Sequence, residues 1–433
     1  MKITRLSLAV WMSIAVAGCA NQATKPDAKA SQAAAAAQTA ASLQEQGLRI
    51  LDAAIQARGG LDKIKVMASK TYQSKGSYQG MPYVANNVFQ IGTLLMEVGA
   101  EGGSSARMTM VWGLDKCWNK SGKVLLPCGE EEKKNGQASM TIDKASLLFP
   151  LKDPGWEISG SKAEQDGKAY EVLMVRETAS GVTGVLMFDP TTHLLARVKY
   201  QGTRGGLTGE FVMDVQEHKE LCGVQSPSKM ATTFSAQPYV SEEVVEMKCG
   251  PVDASLFNQP AQVADKTVEE HPTGPAVLVC TSMKGPYSGM EAAMKKLGEF
   301  MVLNNLAAMD APLAIYQKAP PAVKAPEKFV TDVCYPISGE PALTLEKGGE
   351  FSVQKLDPGA VLAMYGVGEY GKKCEELASL LSKEAAKKRL KVAGPLRQIF
   401  YMDPKSAPPD QLVSQLQLPL KVTPKPVDKG KKK

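Results

Sequence analysis

The chain predicts an α+β protein: a curved antiparallel β-sheet, a half-barrel covered by helix, followed by a duplicated βαββ module with pseudo-twofold symmetry. Three observations predict it. Between Thr71 and Pro260 apolar residues alternate or cluster in short segments separated by Gly, Pro and Asn, the pattern of a sheet with one buried face. A single helical pattern precedes them. Beyond residue 275, three sequence matches recur at one constant spacing.

The first residues form a leader. Lys2 and Arg5 supply a basic start, Leu6 to Ala17 an apolar stretch, and Val16-Ala17-Gly18 precede Cys19. The run is too short for a hydrocarbon core that needs about 20 residues. An ordinary secretory signal also fits, but small residues before a cysteine favour lipidation. Residues 1–18 resemble a bacterial lipoprotein signal peptide, which implies that Cys19 carries the lipid and that the body is tethered to an envelope membrane, facing the periplasm. Ala20 follows the cysteine, and by resemblance to enterobacterial sorting rules this implies the outer membrane.

Length and composition bound the rest. At 433 residues with 44% hydrophobic content, two domains are expected. Part of the net charge of +6 comes from Lys425 to Lys433, so residues 422–433 read as a solvated basic tail. Basic and aromatic residues are nowhere interleaved as in a nucleic-acid module. With Cys19 lipidated, an odd number of cysteines remains. Cys117 and Cys128 flank one short stretch, and Cys222 and Cys249 lie on segments that pair about Gln237, so two bridges are expected, Cys117–Cys128 and Cys222–Cys249. Cys280, Cys334 and Cys374 remain without assigned partners. The chain has no CxxC, and His193, His218 and His271 lack ligand spacing, so no metal or cofactor is expected and no catalytic set is visible.

Residues 19–42 are rich in Ala, Gln, Lys and Ser and suit a flexible tether, although the alanines also allow helix. Leu48, Leu51 and Ile55 recur on one helical face, and Gly59-Gly60 stops that helix. It is the expected cover of the sheet, whose domain spans residues 43–262. Asp189-Pro190-Thr191-Thr192-His193 reads as a turn between two strands.

Ala57-Arg58-Gly59-Gly60-Leu61-Asp62-Lys63-Ile64, Phe188-Asp189-Pro190 before Leu194-Leu195-Ala196-Arg197-Val198, Gly223-Val224-Gln225-Ser226-Pro227-Ser228-Lys229, and Asp253-Ala254-Ser255-Leu256-Phe257 together resemble lipoprotein-sorting-protein-like domains of the LolA/LolB type. The resemblance implies a strongly curved sheet closed by helices around an apolar cavity that holds acyl chains. A filled core fits the sequence equally well, because cavity-lining and core side chains share one chemistry.

Residues 263–275, with Glu269-Glu270-His271-Pro272-Thr273-Gly274-Pro275, lack apolar periodicity and read as a linker. After it, over residues 276–421, the chain repeats. Gly285-Pro286-Tyr287 returns as Gly368-Glu369-Tyr370, Ala311-Pro312-Leu313 as Gly394-Pro395-Leu396, and Val333-Cys334-Tyr335-Pro336-Ile337 as Leu416-Gln417-Leu418-Pro419-Leu420, each 83 residues on. Each copy reads strand, helix, strand, strand. One helix carries Met290, Met294, Leu297 and Met301, the other Leu377, Leu380 and Leu381, and both stripes read as core. Two such units leave a cleft where they meet.

Gly285-Pro286-Tyr287, Ala311 to Tyr316, Gly394 to Tyr401 and Gln415 to Pro419 resemble the effector-binding family of gyrase-inhibitor-like proteins and AraC-type regulators. The resemblance implies an aromatic-lined ligand cleft, here with Tyr287, Tyr316, Tyr335, Tyr365, Tyr370 and Tyr401. It also marks a departure: members of the family carry acids where this chain has Gln415 and often where it has Gln398. A glutamine supplies neither charge nor a useful pKa. Glu369 and Glu346 are the possible substitutes, and both lie in segments that read as exposed turns.

The sequence therefore points to a non-catalytic, membrane-anchored lipoprotein that binds an apolar small molecule or acyl chain. A hydrolase acting in the C-terminal cleft and a ligand-free envelope scaffold are the alternatives.

Overall fold

The computed structural model describes residues 28–100, 108–204, 207–304, 306, 308–318, 323, 325–337, 349–404 and 407–421. Cys19, the leader and the basic tail lie outside them. Two antiparallel sheets carry the architecture, each with helices on one face, and the class is α+β. No helix among the described residues is long and apolar enough to cross a membrane.

The first domain opens with α1 (Ala28–Ala57) and the short α2 (Leu61–Ile64), so helix replaces the expected tether from residue 28. Six strands follow in hairpin succession: β1 (Ser69–Tyr78), β2 (Met81–Gln90), β3 (Thr93–Ala100), β4 (Met108–Gly113), β5 (Cys117–Ser121) and β6 (Val124–Pro127). Then come α3 (Glu130–Ser146), β7 (Trp156–Gln165), β8 (Lys168–Glu177), β9 (Thr183–Phe188), β10 (Leu195–Arg204), β11 (Leu207–Leu221), β12 (Val224–Phe234) and β13 (Gln237–Cys249). β13 returns to pair with β1, giving one open sheet in the order β6-β5-β4-β3-β2-β1-β13-β12-β11-β10-β9-β8-β7.

Helix α3 was not legible as a cover, yet it sits in the bend of this sheet. Trp112 of β4 packs on Gly136, Asn135 Nδ2 donates to the Thr203 carbonyl of β10 and its Oδ1 accepts from Thr203 N at 2.9 Å, and Ile142 fills the space above Gly184 of β9. Strands β4 and β10 would lie roughly 34 Å apart if the sheet were flat, since neighbours are spaced about 4.8 Å. One helix reaches both only because the sheet bends around it.

Helix α1 buries Ile50, Leu51, Ala54 and Ile55, while Leu48 is 40% exposed, so its inward face is rotated from the expected one. Gly47 and Gly160 meet where α1 crosses β7, a backbone contact that leaves no room for a Cβ on Gly160. Both helices share one core with Phe89, Leu173, Leu186 and Phe188 from the sheet. Arg58 ties them together: its Nε donates to the Gln225 carbonyl at 3.0 Å and its Nη1 to the Ser146 carbonyl, at the end of α3, at 2.9 Å. That contact is a structural reason for the Arg-Gly-Gly sequence at this point.

The second domain comprises β14 (Val268–Thr273), β15 (Ala276–Lys284), α4 (Met290–Leu303), β16 (Leu313–Lys318), β17 (Val330–Ile337), β18 (Phe351–Leu356), β19 (Gly359–Val367), α5 (Tyr370–Lys387), β20 (Arg397–Phe400) and β21 (Val413–Leu420). Its sheet order is β14-β19-β21-β20-β16-β17-β15-β18, and the antiparallel β16–β20 pair lies at the pseudo-twofold axis. The 83-residue spacing relates β15 to β19 and β17 to β21 end for end. It also relates β14 to β18. The segment expected to be a linker is thus the first strand of a repeat that runs strand, strand, helix, strand, strand. These first strands cross over: β14 pairs with β19 and β18 with β15, so each half contributes an edge to the other.

The two expected disulfides, Cys117–Cys128 and Cys222–Cys249, are present. Cys280 and Cys334, directly opposite each other on β15 and β17, form a third, and Cys374 is a buried free thiol.

Candidate functional site

Strand alternation divides the eight expected cleft residues between two faces of the second sheet. Gln398 and Phe400 point toward α4 and α5, together with Tyr316, Ala314 and Leu416. On this face Tyr287 stacks on Phe329 with centroids 5.2 Å apart and meets Tyr316 edge-on at 5.3 Å. The Tyr316 hydroxyl donates to Gln398 Oε1, and Gln398 Nε2 donates to Ser414 Oγ at 3.0 Å. Tyr370 donates to the Met402 carbonyl at 2.6 Å and meets Phe400 edge-on, while Tyr335 packs with Val279 and Leu297 below α4. Tyr316, Gln398 and Tyr370 thus find hydrogen-bond partners within the protein, and Tyr287 and Tyr335 pack against the core. Burial pushes the Cys374 thiol up to about 11, which removes it as a nucleophile.

Tyr365, Gln415 and Tyr401 lie on the opposite face. There the structure corrects the expectation that the acidic charge is missing. Glu269, on β14 in the segment read as a linker, accepts from the Tyr365 hydroxyl at 2.7 Å and from Gln415 Nε2 at 3.2 Å, both on Oε1. Gln417 Nε2 donates to Gln415 Oε1 at 2.8 Å and completes the chain. Lys123, at the tip of the β5–β6 hairpin of the first domain, places its Nζ 2.5 Å from Glu269 Oε2. Burial alone would raise the carboxyl of Glu269; the Lys123 and Tyr365 hydrogen bonds outweigh it and hold the group below its ordinary range. Glu369 instead stands at the N-terminus of α5, and Glu346 lies outside the described residues.

A second cluster of polar groups lies between α3 and the middle of the first sheet. On β1 the inward phase carries Lys70, Tyr72 and Ser74, on β2 Tyr83, Asn87 and Phe89, and on β13 Glu242 and Met247. Gly76 stands opposite Glu242 because any Cβ there would strike the Ser241 carbonyl. From α3 comes Asp143. Desolvation by the surrounding protein raises its carboxyl from 3.8 to about 6, against the pull of Lys70 and with Glu242 adding to the rise. Lys70 is lowered to about 8, first by burial and then by Arg58, and its ammonium rests 4.8 Å from the Phe89 ring centre. Burial also raises Glu242, Tyr72 and Tyr83, and brings Tyr200 to about 12. Tyr72, Met96, Tyr200, Met213, Val215 and Met247 are only partly buried and pack against the same core, so apolar side chains border the polar cluster.

The sequence reading missed Lys70, Asp143, Glu242, Lys123 and Glu269. For Lys70 and Glu242 a signal existed: each is a charge on the buried phase of a strand, where water-facing chemistry is out of step.

No protein-family model matches the chain, and no curated protein does. Among solved structures it is similar to a LolA-superfamily protein from Nitrosomonas europaea, with 10% identity, 49% of this chain and 98% of that one covered, and a TM-score of 0.35. A hydrolase from Listeria innocua has 11% identity, with 36% and 93% covered and a TM-score of 0.30. EcmrR in its DNA complex has 8% identity and a TM-score of 0.32; 36% of this chain is covered, and the match spans 58% of the EcmrR chain.

Proposed function

We propose that the chain is a lipid-anchored envelope protein, attached through Cys19 to the outer membrane and facing the periplasm, whose sheet recess binds an amphiphile with an acyl chain and performs no chemistry on it. The observation that carries this reading is the placing of Lys70 and Glu242 on the inward phase of β1 and β13 among the partly buried Tyr72, Met96, Tyr200, Met213 and Met247, with Asp143 of α3 beside them. Methionine suits such a wall because its flexible thioether fills irregular gaps. The small charged set at the floor gives the ligand an orientation, with its polar end toward Lys70, Asp143 and Glu242.

A hydrolytic reading draws support from Glu269 beside Tyr365. Both oxygens of that carboxylate are engaged by the protein's own groups and its pKa is held below the ordinary range, so it is ionised at neutral pH and has no proton to give. Binding is the reading we adopt.

Native mass spectrometry of protein purified from its host membrane tests it. The expected result is a Cys19-acylated chain with one additional acyl-bearing molecule bound. Asp143→Trp, a bulky side chain at an exposed position of α3, should abolish that adduct and leave the melting midpoint within about 3 °C. An empty wild-type chain that also takes up no acyl-bearing probe overturns the proposal.

A further inference from the structure

At the pseudo-twofold axis, β20 turns Gln398 and Phe400 toward the helices, so Arg397 and Ile399 point to the other face. Arg397 stands directly across from Ile315 on β16 and from Gln417 on β21. It is partly buried, its Nε is closed off from water, and it makes no hydrogen bond or ion pair with any described residue. The chain treats its other enclosed arginines differently. Arg197 sits between Asp214 at 2.5 Å and Asp166 at 2.9 Å, and Arg58 holds two carbonyls. Asp332, which shares the cross-strand row with Arg397, is two strands away beyond Ile315 and is occupied by Gln317 and Gln354 at 2.9 and 3.1 Å. A guanidinium held in a low-dielectric setting without a partner is costly, and a bound anion removes that cost.

We infer that Arg397 is the anion-holding end of a ligand site on this face, and that its ligand is a monocarboxylate with an apolar body. The planar fork of the guanidinium matches a carboxylate through two parallel hydrogen bonds. Beside it Ile315 and Leu313 are buried, Ile399 is partly open, and Tyr401 follows the end of β20, so an apolar body has a floor to lie on. An inorganic dianion gains nothing from that floor and meets the acidic groups Glu269 and Asp332 on the same side of the sheet. An amine-headed amphiphile meets Arg397 itself. This site is separate from the recess under α3 and stands whether or not that recess binds anything.

The test is isothermal titration of the full chain carrying Asp143→Trp, so that the first recess is filled, with octanoate, octylamine and inorganic phosphate as probes. Octanoate should bind one to one and at least about tenfold more tightly than the other two. Arg397→Gln and Arg397→Leu should each weaken octanoate at least about tenfold, with melting midpoints equal to or above the parent, because an unpaired buried charge is lost. Failure of octanoate to bind, equal binding of phosphate or octylamine, or octanoate affinity unchanged in Arg397→Gln overturns the inference. So does a fall of more than about 3 °C in the midpoint of either variant, which would make Arg397 a structural residue.

Discussion

Asp143 and Lys70 show at residue scale how the recess acts on stability. Asp143 binds its proton more tightly folded than unfolded, with its pKa moved from 3.8 to about 6 by burial first and by Glu242 in addition. The stability it supplies is complete below its unfolded value and is lost as pH rises from about 4 to about 6. Lys70 has the opposite sign: its folded value of about 8 lies below 10.5, so its contribution is lost as pH falls from above 10 toward 8. Together they leave their contribution lowest at neutral pH. The groups facing Asp143 are Lys70, Glu242, Tyr72 and Tyr200, so no nearby anion other than Glu242 shares its sense. Asp143→Asn should therefore gain urea stability relative to wild type on going from about pH 4.5 to about pH 6.5; an unchanged difference between the two proteins would mean that Asp143 is hydrated like a surface carboxylate. Cysteine spacing marked two disulfides correctly because covalent partners were close in sequence, at separations of 11 and 27. Lys70, Asp143 and Glu242 meet only through the return of β13 onto β1 and the seating of α3, which no local pattern encodes.

At the scale of elements, polarity hid what pairing supplies. Helix α3 begins Glu130-Glu131-Glu132-Lys133-Lys134-Asn135, and its buried positions are Gly136, Met140, Thr141, Ile142 and Ala145, too few large apolar residues to announce a helix face. Strand β14 carries Glu269, Glu270, His271 and Pro272 and reads as a connection. It is an edge strand held by β19, where a proline and exposed charges are tolerated. Because β14 was hidden, the acid it brings to Gln415 was hidden too. The 83-residue spacing, in contrast, was legible, since short matches in one register survive where composition has drifted. Close packing of α1 on β7 gives an element-scale prediction. A Cβ at position 160 would lie 2.4 Å from Gly47 N and 2.6 Å from the Gln46 carbonyl carbon. Gly160→Ala should cost about 1–3 kcal/mol by urea denaturation, the range for overpacking. Gly155→Ala, with nothing within 4 Å, serves as the control and should stay within about 0.5 kcal/mol.

At the scale of the molecule, the β5–β6 hairpin joins the domains. Val124 is fully buried in a cluster with Tyr365, Met402, Leu412 and Val413, and Gln262 brackets Leu125 through its carbonyl at 2.8 Å and its amide at 3.0 Å. Lys123 then delivers its charge to Glu269, the acid of the second domain's cleft face. The first domain therefore supplies the counter-ion that keeps this acid engaged, which couples the state of that face to the seating of the hairpin. Lys123 is 57% exposed and Glu269 17%, so the pair itself contributes on the order of 1 kcal/mol rather than the larger value of a sealed ion pair. Reversal is more damaging than removal, because Lys123→Glu sets two carboxylates against each other while Glu269 stays tied to Tyr365 and Gln415. Lys123→Glu should lower the melting midpoint of the second domain by several degrees and move its calorimetric transition away from that of the first, and Lys123→Glu with Glu269→Lys should recover at least about half of the loss. Equal midpoints in wild type and Lys123→Glu would show that the apolar cluster around Val124 holds the domains by itself, and that the Lys123–Glu269 contact carries no coupling between them.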